Sequence, residues 1–275
     1  MTEIDALAPG VIGRWTREHV IVERAEDVSP GTLVMSRTST GLAVRHALTP
    51  SQLAESLVDS ITDQGLTQRE FELVLVGLVR STVDDPVQAW VTYYKNSLDQ
   101  ILSGASSFAP VHEFAESLVI GSVLDLGSCF GFFPLRLKLR GTPTTATDLS
   151  AGTMRLLQTV APFLGVDLEV VTADASGVPV ADNSADTVTA LHLLEHVDAH
   201  LGEQILDEAL RIARHRVVIA VPFEDEATLC HGHVRVFDSK SLTALGRRTA
   251  RPFEVIEFHG GWLILDLQQG SQPGK

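Results

Sequence analysis

From Gly121 onward, short apolar runs alternate with longer amphipathic stretches, and no other feature narrows the possible folds as much. Residues 122–126, 144–147, 168–172, 187–191 and 217–221 read as strands, with amphipathic helices between them. Strands separated by helices can lie parallel in one sheet, so this texture predicts βαβ units and a doubly wound α/β fold. The last two runs, 253–258 and 262–267, are joined only by His259, Gly260 and Gly261. That link is too short for a parallel crossover and suits a tight hairpin, so the sheet should end in an antiparallel pair.

The residues before this region have a different texture. Residues 1–49 carry strand-like runs at 19–23, 32–35 and 42–45, punctuated by Pro30-Gly31 and Gly41, and read as a small β-rich N-terminal segment. Residues 50–119 read as a helical cap. In it, Thr67-Gln68-Arg69-Glu70 is a capping box, in which a threonine oxygen and a glutamate carboxylate satisfy free amides at a helix start. The run that follows, 71–79, is nearly all apolar and should be buried on most sides. A further helix should begin at Asp84-Asp85-Pro86, with Val87, Trp90, Val91, Tyr94, Leu98 and Ile101 on one face. Tyr93, Tyr94 and Lys95 lie on the same helix and could wall an acceptor pocket; for the two tyrosines, a place in the core is the preferred reading. The domain boundary falls near residue 120, and the tail from 268 to 275 reads as disordered.

Composition removes several function classes. With 275 residues and 44% hydrophobic content, the chain can bury a large core without disulfides. Its two cysteines, Cys129 and Cys230, lack zinc-site spacing and fit a reducing, cytoplasmic setting. The amino terminus is acidic where a signal peptide is basic, and no apolar run approaches the length of a spanning helix, so no membrane association is expected. A formal charge of -14, with no basic cluster beyond Arg247-Arg248, would repel a phosphate backbone, which argues against nucleic acid as a partner. The oligomeric state is not readable from the sequence.

In an open α/β sheet, ligands bind beyond the carboxyl ends of the strands, and the polar residues cluster there. After the first strand of the sheet comes Asp125-Leu126-Gly127-Ser128-Cys129-Phe130-Gly131, a turn whose glycines let the backbone approach a ligand. A dinucleotide fingerprint counted from Gly127 would need glycine at 129 and 132, where the chain has Cys129 and Phe132. The second strand ends at Asp148, placed to accept hydrogen bonds from both hydroxyls of a ribose; the alternative is a helix N-cap, a task for which Ser150 is already available. The third strand is followed by Ala173-Asp174-Ala175, where a carboxylate between small residues could take an adenine amino group or merely shape a turn.

This set of residues resembles the class I S-adenosylmethionine-dependent methyltransferases over roughly residues 120–268. The resemblance implies a Rossmann-like seven-stranded sheet preceded by a smaller mixed β/helical region, with S-adenosyl-L-methionine as cofactor. By that likeness Asp125, Gly127, Ser128 and Gly131 shape the pocket for the methionine end. Asp148 and Leu149 lie at the ribose, Asp174 and Ala175 at the adenine, and Leu191 near the adenosine. Cys129 departs from the family's D-x-G-x-G-x-G turn by replacing its middle glycine, so the loop could run differently there.

Past the fourth strand, Leu191-His192-Leu193-Leu194-Glu195-His196 puts three ionisable side chains beside the expected position of the donated methyl group. His231-Gly232-His233 follows the fifth strand. An imidazole, with an ordinary pKa of about 6.5, can accept a proton from an attacking hydroxyl. His196 or His192 is then the catalytic base and Glu195 its orienting partner. Alternatively His192, Glu195, His196 and His233 bind a divalent metal ion that acidifies the hydroxyl. The arrangement is similar to the E-x-x-E-H and downstream histidine of metal-dependent O-methyltransferases acting on vicinal diols, except that His192 stands in the place of the first acid. A purely structural cluster is the third reading. The run 233–246 also resembles a segment that walls the acceptor pocket in small-molecule members of the class. A narrower likeness links DLGSCFGFFPLRL, ATDLSAGTMRLL, LHLLEHV and GHVRVFD to the mycofactocin oligosaccharide methyltransferases, which implies a sugar hydroxyl as acceptor. The sequence thus points to O-methyl transfer to a small-molecule or oligosaccharide acceptor; a nucleotide-binding dehydrogenase and a catalytically silent cofactor-binding module are the competing readings.

Overall fold

The structure, a computed structural model, describes residues 4–267 except Thr40 and Asp63, so the tail expected to be disordered lies outside the described residues. The chain divides into two compact units. Of the described residues, one comprises those up to 109 together with 155–166 and 229–232; the other comprises 110–154, 167–228 and those from 233 onward.

The first unit holds a four-stranded sheet of β1 (Arg14–Arg17), β2 (Val20–Arg24), β3 (Leu33–Thr38) and β4 (Gly41–His46), in the order β1-β2-β4-β3. β2 and β4 pair in parallel and the two outer pairings are antiparallel. The sequence signalled all but β1, whose single buried side chain, Trp15, shows no alternation. After α1 (Leu57–Thr62), α2 (Gln68–Thr82) starts at the expected capping box: Thr67 Oγ1 accepts from the Glu70 amide at 3.3 Å, and Glu70 Oε2 accepts from the Thr67 amide at 3.0 Å. Its apolar run is buried nearly all round. α3 (Pro86–Ser103) starts where expected, with Asp85 accepting from the Gln88 amide. Its buried face carries Ala89, Trp90, Tyr93, Tyr94, Ser97, Leu98 and Ile101. Val87 and Val91 are only half-buried, and Lys95 is exposed. Tyr93 meets Trp90 and Tyr94 edge to face, which makes the tyrosines core residues.

The second unit is built on a seven-stranded sheet: β5 (Val123–Leu126), β6 (Thr144–Asp148), β7 (Glu169–Thr172), β8 (Ala185–Leu191), β9 (Ala213–Val221), β10 (Phe253–Glu257) and β11 (Gly261–Asp266). All seven expected strands are present. Their order is β10-β11-β9-β8-β5-β6-β7, parallel from β9 through β7. β11 is antiparallel to both neighbours, β9 and β10. The terminal hairpin therefore tucks its second strand against β9 and leaves β10 at the edge. Helices α5 (Phe132–Leu139) and α7 (Ala199–Ile212) lie in this unit, α6 (Ala151–Val160) begins in it and ends among the residues of the first unit, and α8 (Ser239–Arg248) precedes the hairpin. Apolar side chains of α7, β8 and β9 form one core cluster. This unit begins at residue 110, ahead of the boundary expected near 120. The reason is α4 (Ala109–Ser117), whose Val111 and Ala115 are buried with Val123 of β5, Phe133 and Leu137 of α5, and Trp262 of β11.

Candidate active site

The turn after β5 is shaped by three left-handed residues, Gly127 (φ 69°), Cys129 (φ 49°) and Gly131 (φ 73°). Cys129 thus occupies the left-handed region that glycine enters freely. Such a conformation costs a side-chain-bearing residue about 1 kcal/mol. It is held by the Cys129 amide, which donates to Asp148 Oδ2 at 2.9 Å. Ser128 links the same two strands: its hydroxyl donates to Asp125 Oδ2 (2.7 Å) and accepts from the Thr147 amide (3.1 Å).

Asp125 lies beneath the turn rather than on its surface. It is buried and accepts from Ser128 and from the Thr189 hydroxyl, so it braces β5 against β8. Burial pushes its carboxyl pKa up to about 6, and the Asp148 charge adds to the rise, against the pull of its two hydroxyl donors.

Asp148 ends β6 with one carboxylate oxygen on the Cys129 amide and the other on the Ser150 amide (2.8 Å). The cap of α6 falls to Ser150, whose hydroxyl oxygen accepts from the Thr153 amide at 3.2 Å. Leu149 is 72% exposed, an apolar side chain left beside a polar strand end. Asp174 is exposed in an Asx turn, with Oδ1 accepting from the Ser176 amide and hydroxyl, which holds its carboxyl below the usual range. Ala175 and Leu191 are half-buried. A glycine-bearing turn, a strand-end carboxylate, an exposed apolar side chain and a second carboxylate after β7 form a donor set that fits an adenosyl cofactor with a charged amino-acid end.

The second cluster lies past β8. His192 takes a left-handed conformation (φ 54°), and its amide donates to Ala220 O at 2.9 Å. A 3-10 turn, Leu194–His196, follows. The extended residues after His233 are tied to this turn: the Val234 amide donates to Glu195 O (2.8 Å) and Arg235 Nε to Leu194 O (2.9 Å). The rings of His196 and His233 consequently meet edge to face, 4.9 Å between centroids.

Glu195 is 0% exposed, and neither of its carboxylate oxygens accepts a hydrogen bond. His192 Nδ1 lies 3.2 Å from Glu195 Oε1. One donor atom each from Glu195, His196 and His233 lies within 4.8 Å of the others. His192, expected in the same ligand set, is not one of these three, although its Nδ1 approaches Glu195. His231 also departs from expectation: it lies in the first unit, where Nε2 is 3.1 Å from Thr62 Oγ1 and its ring meets Phe71 edge to face.

Two residues near the cluster escaped the sequence reading. Glu224, shortly after β9, accepts at Oε2 from or shares a proton with His233 Nδ1 at 2.7 Å. Burial opposes its charge, yet Thr228 and His233 hold its pKa below the usual range. Its position just beyond a strand end was the available signal. His112 of α4 packs edge-on against Phe133; burial, then the charges of Arg136 and His192, push its pKa down to about 3. Nothing in the sequence near His112 marks it.

Comparison with known proteins agrees with this geometry. Residues 124–221 match the family model of the methyltransferase domain. No curated protein matches the chain. Among solved structures, an O-methyltransferase family protein from Burkholderia thailandensis is similar at 12% identity, with 67% of this chain and 61% of that chain covered and a TM-score of 0.51. A putative S-adenosyl-L-methionine-dependent methyltransferase from Methanococcus maripaludis is similar at 15% identity, with coverages of 65% and 95% and a TM-score of 0.49. At an identity this low the likeness to the Burkholderia protein shows the fold alone, the Rossmann-like arrangement of the seven-stranded sheet. Residues 124–221 are therefore similar to a methyltransferase domain, and S-adenosylmethionine is the cofactor that the fold and the donor set fit.

Proposed function

We propose that the protein transfers a methyl group from S-adenosylmethionine to a hydroxyl of a small molecule or oligosaccharide. The observation that carries this reading is that β5, β6 and β8, parallel neighbours, end in the turn at 127–131, in Asp148 and in the His/Glu cluster. Donor-binding groups and proton-accepting groups thus share one edge of the sheet. When bound, the cofactor supplies an electrophilic methyl carbon on a sulfonium centre. The turn and Asp148 orient that end of the ligand, and alignment with the acceptor oxygen supplies most of the advantage. The acceptor's proton passes to the imidazole of His196 or His192, with Glu195 orienting the ring.

A hydroxyl suits the cluster because an alcohol must lose its proton as it attacks. The narrower sequence likeness points to a glucose hydroxyl of the mycofactocin glycan, and the acidic charge of the chain favours a non-nucleic-acid acceptor. No helix of the described residues is long and apolar enough to cross a membrane. Asp148→Ala should weaken S-adenosylhomocysteine binding at least about 10-fold, since a charge-accepting hydrogen-bond partner is worth ~1.5–3 kcal/mol. Unchanged affinity in calorimetry would remove Asp148 from the cofactor site. Incubation with labelled S-adenosylmethionine and a glycan extract, followed by mass spectrometry, identifies the acceptor; label on an amine or a protein overturns the hydroxyl assignment.

A further inference from the structure

Glu195 presents an energetic problem that the methyl-transfer reading does not solve. A carboxylate with 0% exposure and no hydrogen bond to either oxygen is costly, by several kcal/mol, unless a positive charge compensates it. The Arg235 guanidinium acts on it electrostatically, but its Nε is committed to Leu194 O and its Cζ lies 4.4 Å from the centre of the Phe237 ring. His192 Nδ1 approaches Oε1 without hydrogen-bond alignment.

The surroundings of Glu195 have the composition of a metal site. His196 and His233 each offer a ring nitrogen, and the donor atoms of the three residues already lie within 4.8 Å of one another. Donor atoms sharing one zinc ion sit about 3.5 Å apart, given metal–ligand bonds of ~2.1 Å in tetrahedral geometry. Small side-chain rotations close that difference. His233 is further prepared: its Nδ1 is engaged by Glu224 Oε2 at 2.7 Å, and Glu224 is itself held by the Thr228 hydroxyl, also at 2.7 Å. A carboxylate on one nitrogen fixes the tautomer and leaves Nε2 as the electron-pair donor, the arrangement that supports histidine ligands to metals.

We infer that Glu195, His196 and His233 bind a divalent cation of the zinc class, with Glu224 orienting His233, and that the open coordination positions hold the acceptor hydroxyl. The last clause rests on the methyl-transfer reading; the binding site does not. Two imidazoles and one carboxylate leave at least one position free on a four-coordinate ion, and a hydroxyl bound there is acidified. His196 is then a ligand, and His192 becomes the group that receives the acceptor's proton.

The test is calorimetric titration of ZnCl2 into the chelator-stripped full-length protein, with S-adenosylhomocysteine titrated separately. One equivalent of zinc should bind. Glu195→Gln, His196→Ala and His233→Ala should each weaken binding at least about 100-fold, Glu224→Gln about 10- to 100-fold, and His192→Gln less than about threefold. Circular dichroism of each variant checks that it is folded, and the conservative Glu224→Gln keeps the test informative if a ligand variant is not. No saturable zinc binding by the parent protein, or binding that survives all three ligand substitutions, overturns the inference. Loss of S-adenosylhomocysteine binding with zinc binding intact would instead strike the methyl-donor reading and leave the cation site standing.

Discussion

Cys129 is where a local conformational cost and a ligand site coincide. Its left-handed backbone lies in the region that glycine enters freely, and its amide is the donor that reaches Asp148. Cys129→Gly should therefore leave S-adenosylhomocysteine affinity within about twofold. Its stability in urea unfolding should be equal to or up to about 1 kcal/mol above the parent, because relief of strain offsets the extra entropy of an unfolded glycine. Cys129→Val, β-branched at the same φ, should lose about 1–2 kcal/mol and weaken cofactor binding. Equal stability of the two variants would mean that the turn relaxes out of its left-handed form. The sequence made the substitution visible but not its consequence, since spacing alone does not reveal φ. His192 shows the same limit: its place after the strand was legible, whereas its left-handed backbone (φ 54°) was not.

At the level of elements, legibility followed the strength of local chemistry. The start of α2 was readable because a capping box is written in four consecutive residues, and the helix begins there. Thr67→Ala removes the side chain that accepts from the Glu70 amide and should cost about 1 kcal/mol of stability, measured by chemical denaturation. No loss would show that Glu70, which also pairs with Arg37 at 2.6 Å, anchors the helix start without the threonine. The strands of the second unit were legible for the same reason, being apolar runs bounded by turns. The insertion of β11 between β9 and β10 was not, because strand order depends on pairing across long stretches of chain. α4 was assigned to the helical region on texture, yet Val111 and Ala115 place it with the sheet. A helix shows that it has an apolar face, but its sequence does not name the partner of that face.

For the molecule as a whole, three buried groups set opposing responses to acid. His46, buried against Ser81, has its pKa pushed down to about 4 by burial and by the Arg24 charge, and His112 is pushed down to about 3. Both are neutral in the folded state while the unfolded chain protonates near pH 6.5. Stability is therefore lost as pH falls from about 6.5 toward 4, on the order of 3 kcal/mol for each histidine. Asp125 works the other way: its folded pKa of about 6 exceeds the unfolded 3.8, so the folded state takes up a proton first and gains stability over that window. Its share is also on the order of 3 kcal/mol. Among these three groups, two losses against one gain contribute net acid destabilisation, adding about one proton to the slope between pH 6 and 4. Asp125→Asn should steepen the measured slope by about one proton in urea titrations at stepped pH; an unchanged slope would mean that Asp125 ionises normally in the fold.

The division of the chain into units also bears on how this architecture can be inherited. The first unit includes residues 155–166 and 229–232, excursions from within the sheet-bearing stretch, so the polypeptide passes repeatedly between the two. No single cut separates them: a break after residue 109 strands both short segments on the wrong fragment. Such a protein cannot be assembled by joining a ready-made cap to a ready-made catalytic cassette, nor divided by recombination at one boundary. The two short segments of the first unit are thus inherited only with the chain that encodes the second.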